Sequence, residues 1–201
     1  MESEPHAESQ WQAFKTQPAA FTHASHIVRA FDALISEEVA SQLAAEERFG
    51  GRLSAVLTEL HALSDDVGDG APVRRLALAS SAELAAWVRR FGAVYWARAI
   101  AGAIESAVVV TLRQTLGEDA YAVALANRDL AGDERTLPAS TELDDAVTSA
   151  GLRCLAAWCA REPAGLAQRI RLKLPNDTAF DGPVVPPFDQ AGPAIVDRLL
   201  A

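Results

Sequence analysis

His23 and His26 stand three residues apart, a spacing that can place two imidazoles on one side of a helix as metal ligands. No His-Glu motif completes the pair and Asp32 is the only acid close in sequence, so packing or surface roles are expected and no metal. Asp65 to Gly70 has the look of a calcium loop, but Val67 falls where a ligand oxygen is needed and Leu76 where the bidentate Glu should be. Cys154 and Cys159 are five apart, neither a redox nor a zinc spacing, and read as small apolar packing residues in a reducing cytoplasm. Ser80-Ser81 lacks the glycines that expose a nucleophile, and Asp144-Asp145 project to different sides of a helix. There is no phosphate loop and no dinucleotide fingerprint. A chain without a catalytic constellation is expected to bind rather than catalyse, and to need no cofactor.

One basic cluster stands out. In Arg169-Ile-Arg-Leu-Lys-Leu-Pro175 basic and apolar residues alternate, which predicts a short half-buried strand with Ile170, Leu172 and Leu174 inward and Arg169, Arg171 and Lys173 outward, ended by Pro175. The basic stripe is then either a solvated edge that deters unwanted pairing or a contact for an acidic partner.

The net charge of −9 is uneven: residues 1–71 carry 12 acids and 4 bases, whereas residues 72–201 carry 15 acids and 14 bases. This balance argues against nucleic acid as partner, because phosphate binding draws on clustered Lys and Arg. The acidic excess either keeps the protein soluble or forms a face for a basic partner, with Glu37, Glu38, Asp65 and Asp66 as its candidates. Met1-Glu-Ser-Glu-Pro-His lacks the basic and apolar regions of a signal peptide, and Arg98, Glu105 and Arg113 interrupt the most apolar stretch, so neither export nor a membrane span is expected.

The elements that must position these residues are helical. Half the residues are hydrophobic, and most of these are Ala, Leu and Val. Ile27, Phe31, Leu34 and Ile35 share a helical face, and Ser36-Glu-Glu reads as a capped restart. Leu53, Val56, Leu57, Leu60 and Leu63 form a core-facing stripe that Ser64 to Pro72 stops. Leu84, Trp87, Val88 and Phe91 follow Ser80 and Glu83, which have the spacing of a capping box. Ile100, Ile104, Val108 and Leu112 predict a helix that Gly117 separates from the next one. Thr141 and Asp144 repeat the capping spacing before Leu143, Val147, Gly151, Cys154, Leu155 and Trp158, which share one face. Five prolines from Pro175 to Pro193 predict an extended strap, with a final turn at Ile195 to Leu200. The expected fold is therefore mainly α: a compact multi-helix bundle with one short C-terminal strand or extended segment and an irregular Pro-rich tail. Its expected parts are an N-terminal extended segment (1–24, the first eight residues frayed), a helical domain (25–174) that admits a subdivision near 64–72, and the tail (175–201).

Several stretches, in order, resemble the SctK/YscK/OrgA family of type III secretion accessory proteins. They are Phe14-Lys-Thr-Gln-Pro18-Ala-Ala-Phe21-Thr-His23, then Arg90-Phe-Gly92-Ala-Val-Tyr-Trp-Ala-Arg98-Ala-Ile, then Leu112-Arg113 with Leu116-Gly-Glu-Asp-Ala-Tyr121, and finally Leu137-Pro138 and Arg169 to Pro175. The resemblance spans about residues 14–175 and leaves out the acidic region from Glu37 to Asp69 and the tail. It implies a cytoplasmic, non-enzymatic adapter of the injectisome sorting platform. Such an adapter links the cytoplasmic domain of the inner-membrane ring protein (SctD-type) to the C-ring protein (SctQ-type), working at the cytoplasmic face of the inner membrane. The competing class is a type III secretion chaperone or regulator that binds an effector; a helical enzyme with a dispersed site ranks last.

Overall fold

The computed structural model describes residues 4–133, 136–176 and 178–201, in which twelve α-helices and no strand are found. They are α1 (Glu4–Thr16), α2 (Ala24–Ala30), α3 (Glu37–Ala45), α4 (Glu47–Leu60), α5 (Ala71–Leu78), α6 (Ser81–Tyr95), α7 (Ala97–Ala101), α8 (Ser106–Leu116), α9 (Glu118–Ala126), α10 (Leu143–Cys159), α11 (Ala164–Lys173) and α12 (Phe188–Leu200). The chain forms two units, Met1–Ser81 with Glu162–Asp177, and Ala82–Arg161 with Thr178–Ala201. The break foreseen at 64–72 falls inside the first unit. Of the eight residues expected to fray, the first three lie outside the described ones and the rest begin α1.

In the first unit, α1 buries Trp11 and Phe14, stacked at 5.6 Å, with the ring of Phe21 edge-on to Phe14 at 5.4 Å. Ala19, Ile27, Ala40, Leu53 and Leu57 form a second cluster among α2, α3 and α4. Ser36 caps α3 as its sequence foretold, its hydroxyl accepting from the Val39 N–H at 3.3 Å with Glu37 and Glu38 in the first turn. The helix α4 closes in a Schellman turn, in which the N–H groups of Ala62 and Leu63 donate to the carbonyls of Glu59 and Thr58. Ala62 occupies the left-handed position at φ 47°, where its Cβ crowds the next carbonyl. Ala62→Gly is therefore expected to stabilise the protein by about 1 kcal/mol, read as a higher urea midpoint at an unchanged slope.

The strand expected over Arg169 to Pro175 does not form: those residues lie on α11 and the turn after it. Leu166, Ile170, Leu172 and Leu174 are buried, a set compatible with either periodicity, so the apolar residues do not choose between them. The helical register puts Arg169 and Lys173 on the same face as Leu166 and Ile170, and both cations are buried. What makes that face acceptable is a supply of main-chain oxygens, described below.

In the second unit α6 and α10 cross backbone to backbone. A Cβ built on Gly92 would lie 1.8 Å from the Val147 carbonyl oxygen, and one on Gly151 1.9 Å from that of Val88. The whole predicted face of α10, from Leu143 to Trp158, is buried. Gly117, at φ 82°, separates α8 from α9 as expected. The Thr141 cap is not formed, since α10 begins after Glu142 and Asp144 instead pairs with Arg89 at 2.9 Å. The predicted helix through Ile104 is broken between α7 and α8, leaving Ile104 91% exposed.

The irregular tail is also corrected, because about half of it is α12, which buries Phe188, Ile195, Val196 and Leu200. Pro193 sits inside this helix and cannot donate to the carbonyl of Asp189, four residues back. Arg161 donates to that carbonyl instead, at 2.5 Å. Phe188 stacks on Tyr95 at 4.3 Å, and Trp158 donates to Asp197 at 2.7 Å, so the helix is anchored at both ends.

Candidate functional site

Sequence placed a basic stripe in solvent, and the structure turns most of it inward. Arg169 is 3% and Lys173 5% exposed. The Lys173 ammonium donates to the carbonyls of Leu76 (3.2 Å), Ala77 (2.6 Å) and Ala79 (2.5 Å), the C-terminal end of α5, and faces the rings of Phe14 and Phe21. Arg169 donates to the carbonyls of Ser64, Gly165 and Lys15, and burial lowers its pKa. Both cations thus tie α11 to distant stretches of its own unit. Of the three, Arg171 alone is partly open; it donates to the Pro175 carbonyl at 2.9 Å.

The acidic candidates fare differently. Glu37, Glu38, Asp65 and Asp66 are all exposed. Asp66 also shapes its loop: one carboxylate oxygen accepts from the Gly68 N–H at 3.3 Å, and its carbonyl accepts from the Gly165 N–H at 3.0 Å.

The two histidines weighed as metal ligands have separate structural tasks. His23 caps α2, its Nδ1 accepting from the Ser25 N–H at 3.2 Å. His26 is buried, and its Nε2 lies 2.9 Å from the Leu174 carbonyl, which assigns the proton to Nε2 and leaves Nδ1 without a partner. Arg171 approaches the same ring at 3.1 Å, and His61 meets it edge-on at 5.6 Å. Burial, with smaller contributions from Arg171 and His61, lowers the His26 pKa from 6.5 to about 4. His61 is lowered for the same first reason. Between those pH values the unfolded chain binds a proton that the folded one refuses, so stability is complete above about pH 6.5 and falls as the pH drops toward 4. The loss from His26 is on the order of 3 kcal/mol. Urea midpoints across that range should fall more steeply for the wild type than for His26→Phe, and equal slopes would count against this account.

Cys154 and Cys159 are buried and not joined in a disulfide, and burial pushes the Cys154 thiol up to about 12, far from a reactive thiolate. Among the described residues no three His, Cys, Asp or Glu side chains gather as a metal site.

Sequence reasoning missed an apolar groove. In the first unit Ala30, Phe31, Leu43, Phe49, Leu53 and Val56 line a hollow of about 430 Å³ together with Arg52. Phe31, Leu34, Val39, Val56 and Leu60, half of the large exposed apolar side chains among the described residues, come from this α2–α4 region, Leu34 being 85% exposed. Its trace in sequence is the width of the α4 stripe: Phe49, Leu53, Val56, Leu57 and Leu60 cover more of the helix than one core contact needs. In the second unit a wider cleft of about 640 Å³ lies between Gly102–Leu112 and Thr136–Leu143.

Residues 10–198 match the protein family described as YOP proteins translocation protein K (YscK). The chain belongs to the YscK family. No curated protein and no solved structure matches it. Membership makes this a type III secretion protein. The YscK match takes in the Glu37–Asp69 region, with the groove, and nearly all of α12, both outside the residues that carry the visible resemblance. No described helix of this YscK-family chain is long and apolar enough to cross a membrane.

Proposed function

We propose that this protein is a non-enzymatic cytoplasmic adapter of the injectisome sorting platform, linking the cytoplasmic domain of the SctD-type inner-membrane ring protein to the SctQ-type C-ring protein. Membership of the YscK family over residues 10–198 is the observation that carries this reading. The surface chemistry supports it. The two hollows are lined mainly by apolar side chains, which suit protein contacts better than polar substrates. Its place of work is the cytoplasmic face of the inner membrane, held there through the apparatus.

An adapter needs two separable faces. Glu37, Glu38, Asp65 and Asp66 supply an exposed acidic set for a basic partner surface, whereas the burial of Arg169 and Lys173 leaves Arg171 as the one member of the basic set open to a partner. The test is co-purification with the C-ring protein and with the ring protein's cytoplasmic domain, using an effector as a third candidate. Capture of both apparatus proteins is the expected result. Capture of the effector alone would make the protein a chaperone, and capture of none would end the adapter reading.

A further inference from the structure

We infer that the α2–α4 groove receives an amphipathic helix from one of the two apparatus partners, its apolar side chains seated between Phe31, Leu43, Phe49 and Val56 and a carboxylate of its own paired with Arg52. The inference rests on the adapter reading and adds to it a surface and the chemistry of what fills it.

Two observations fix the occupant. The first is the kind of wall. The groove is bounded by α2, α3 and α4, whose main-chain groups are spent on their own helices, so an incoming strand would find no free ladder of donors and acceptors. What the walls offer is apolar side chains at helical spacing. Phe49, Leu53, Val56 and Leu60 run along one side of α4 for roughly 16 Å at 1.5 Å per residue, the length of about three turns of a partner helix.

The second is charge. Arg52 belongs to the lining itself and, among the described residues, forms no hydrogen bond or ion pair. The other cation on α4, Arg48, is already committed, lying 3.7 Å from Glu46 with its guanidinium over the Phe49 ring at 4.6 Å. A guanidinium left free beside apolar side chains complements a carboxylate flanking an apolar anchor, and its planar fork suits that group better than a neutral one. A purely apolar or basic segment would bury Arg52 unpaired.

Arg52→Glu and Val56→Asp change exposed side chains, so both proteins should melt like the wild type; Val184→Asp, exposed in the second unit and lining neither hollow, serves as the control. Each is titrated by calorimetry against the purified C-ring protein and against the ring protein's cytoplasmic domain. The expected result is a tenfold or greater loss of affinity for one partner in both groove variants, with the other partner and the control unaffected. Wild-type affinity of both variants for both partners would overturn the groove assignment while leaving the adapter reading standing. Loss in Val56→Asp alone would overturn the carboxylate occupant. A dimer of the chain by itself that either variant dissociates would show a second copy in the groove and overturn the partner. Failure of the wild type to bind either protein would defeat the adapter reading and this occupant with it.

Discussion

Gly92→Ala is expected to stop the second unit from folding. The obstacle is the main chain of the facing helix: the new methyl would stand 1.8 Å from the Val147 carbonyl oxygen and 2.8 Å from its carbon. A carbonyl already committed to its own helix cannot rotate aside as a side chain can, so α6 and α10 would have to separate. Separation opens the contact that buries Val88, Phe91, Val147 and Leu155. The helix-propensity gain of about 1 kcal/mol for replacing glycine is small beside a cost expected to exceed about 4 kcal/mol. That cost approaches the whole stability of an ordinary domain. Gly151→Ala should behave alike, because its methyl would meet the Val88 carbonyl oxygen at 1.9 Å. Gly50→Ala and Gly51→Ala, on α4 where an added Cβ meets nothing within 4 Å, should instead stabilise slightly. Circular dichroism melts of the four proteins test the contrast, and a cooperative, wild-type-like melt for Gly92→Ala would refute the close crossing.

Lys173→Ala carries the second largest expected effect, a loss on the order of 3 kcal/mol from the first unit. Leu76 and Ala77 are in the last turn of α5 and Ala79 is its C-cap, so their carbonyls lack helical partners and depend on the ammonium. Removing the side chain leaves these oxygens short of a buried donor and opens a void beside Phe14 and Phe21. Lys173→Met keeps the aliphatic stem and should lose about half as much, which separates the hydrogen bonds from the packing. Urea denaturation of the three proteins makes the measurement; equal midpoints would mean that the ammonium contributes nothing. The same geometry disqualifies charge reversal at Arg169 or Lys173 as an interaction test, since any loss of partner would follow from unfolding.

Much of this was legible in the residues. The face of α10, the Ser36 cap and the break at Gly117 follow from spacing and from single residues with strong local preferences, and all three stand in the structure. The misreadings share a cause. At Thr141 the capping spacing was present, but the helix began one residue beyond Glu142 and left that hydroxyl out of the cap. In the tail, Pro193 signalled a break that Arg161 repairs from 28 residues away in sequence. The α4 stripe was read as core along its full length, yet Val56 and Leu60 lie outside because no further element covers them.

By itself, then, the sequence determined a helical protein of the YscK family, because 3.6-residue periodicity, caps and glycine breaks are local properties and because the family's residues recur in order along the chain. The tertiary structure alone decided the state of Arg169 to Lys173. Alternating basic and apolar residues satisfy a strand with its charges in water or a helix with two charges inside, and the choice depends on whether acceptors wait there. Those acceptors, the carbonyls of Lys15, Ser64, Leu76, Ala77 and Ala79, lie roughly a hundred residues or more away along the chain, where no local pattern can report them.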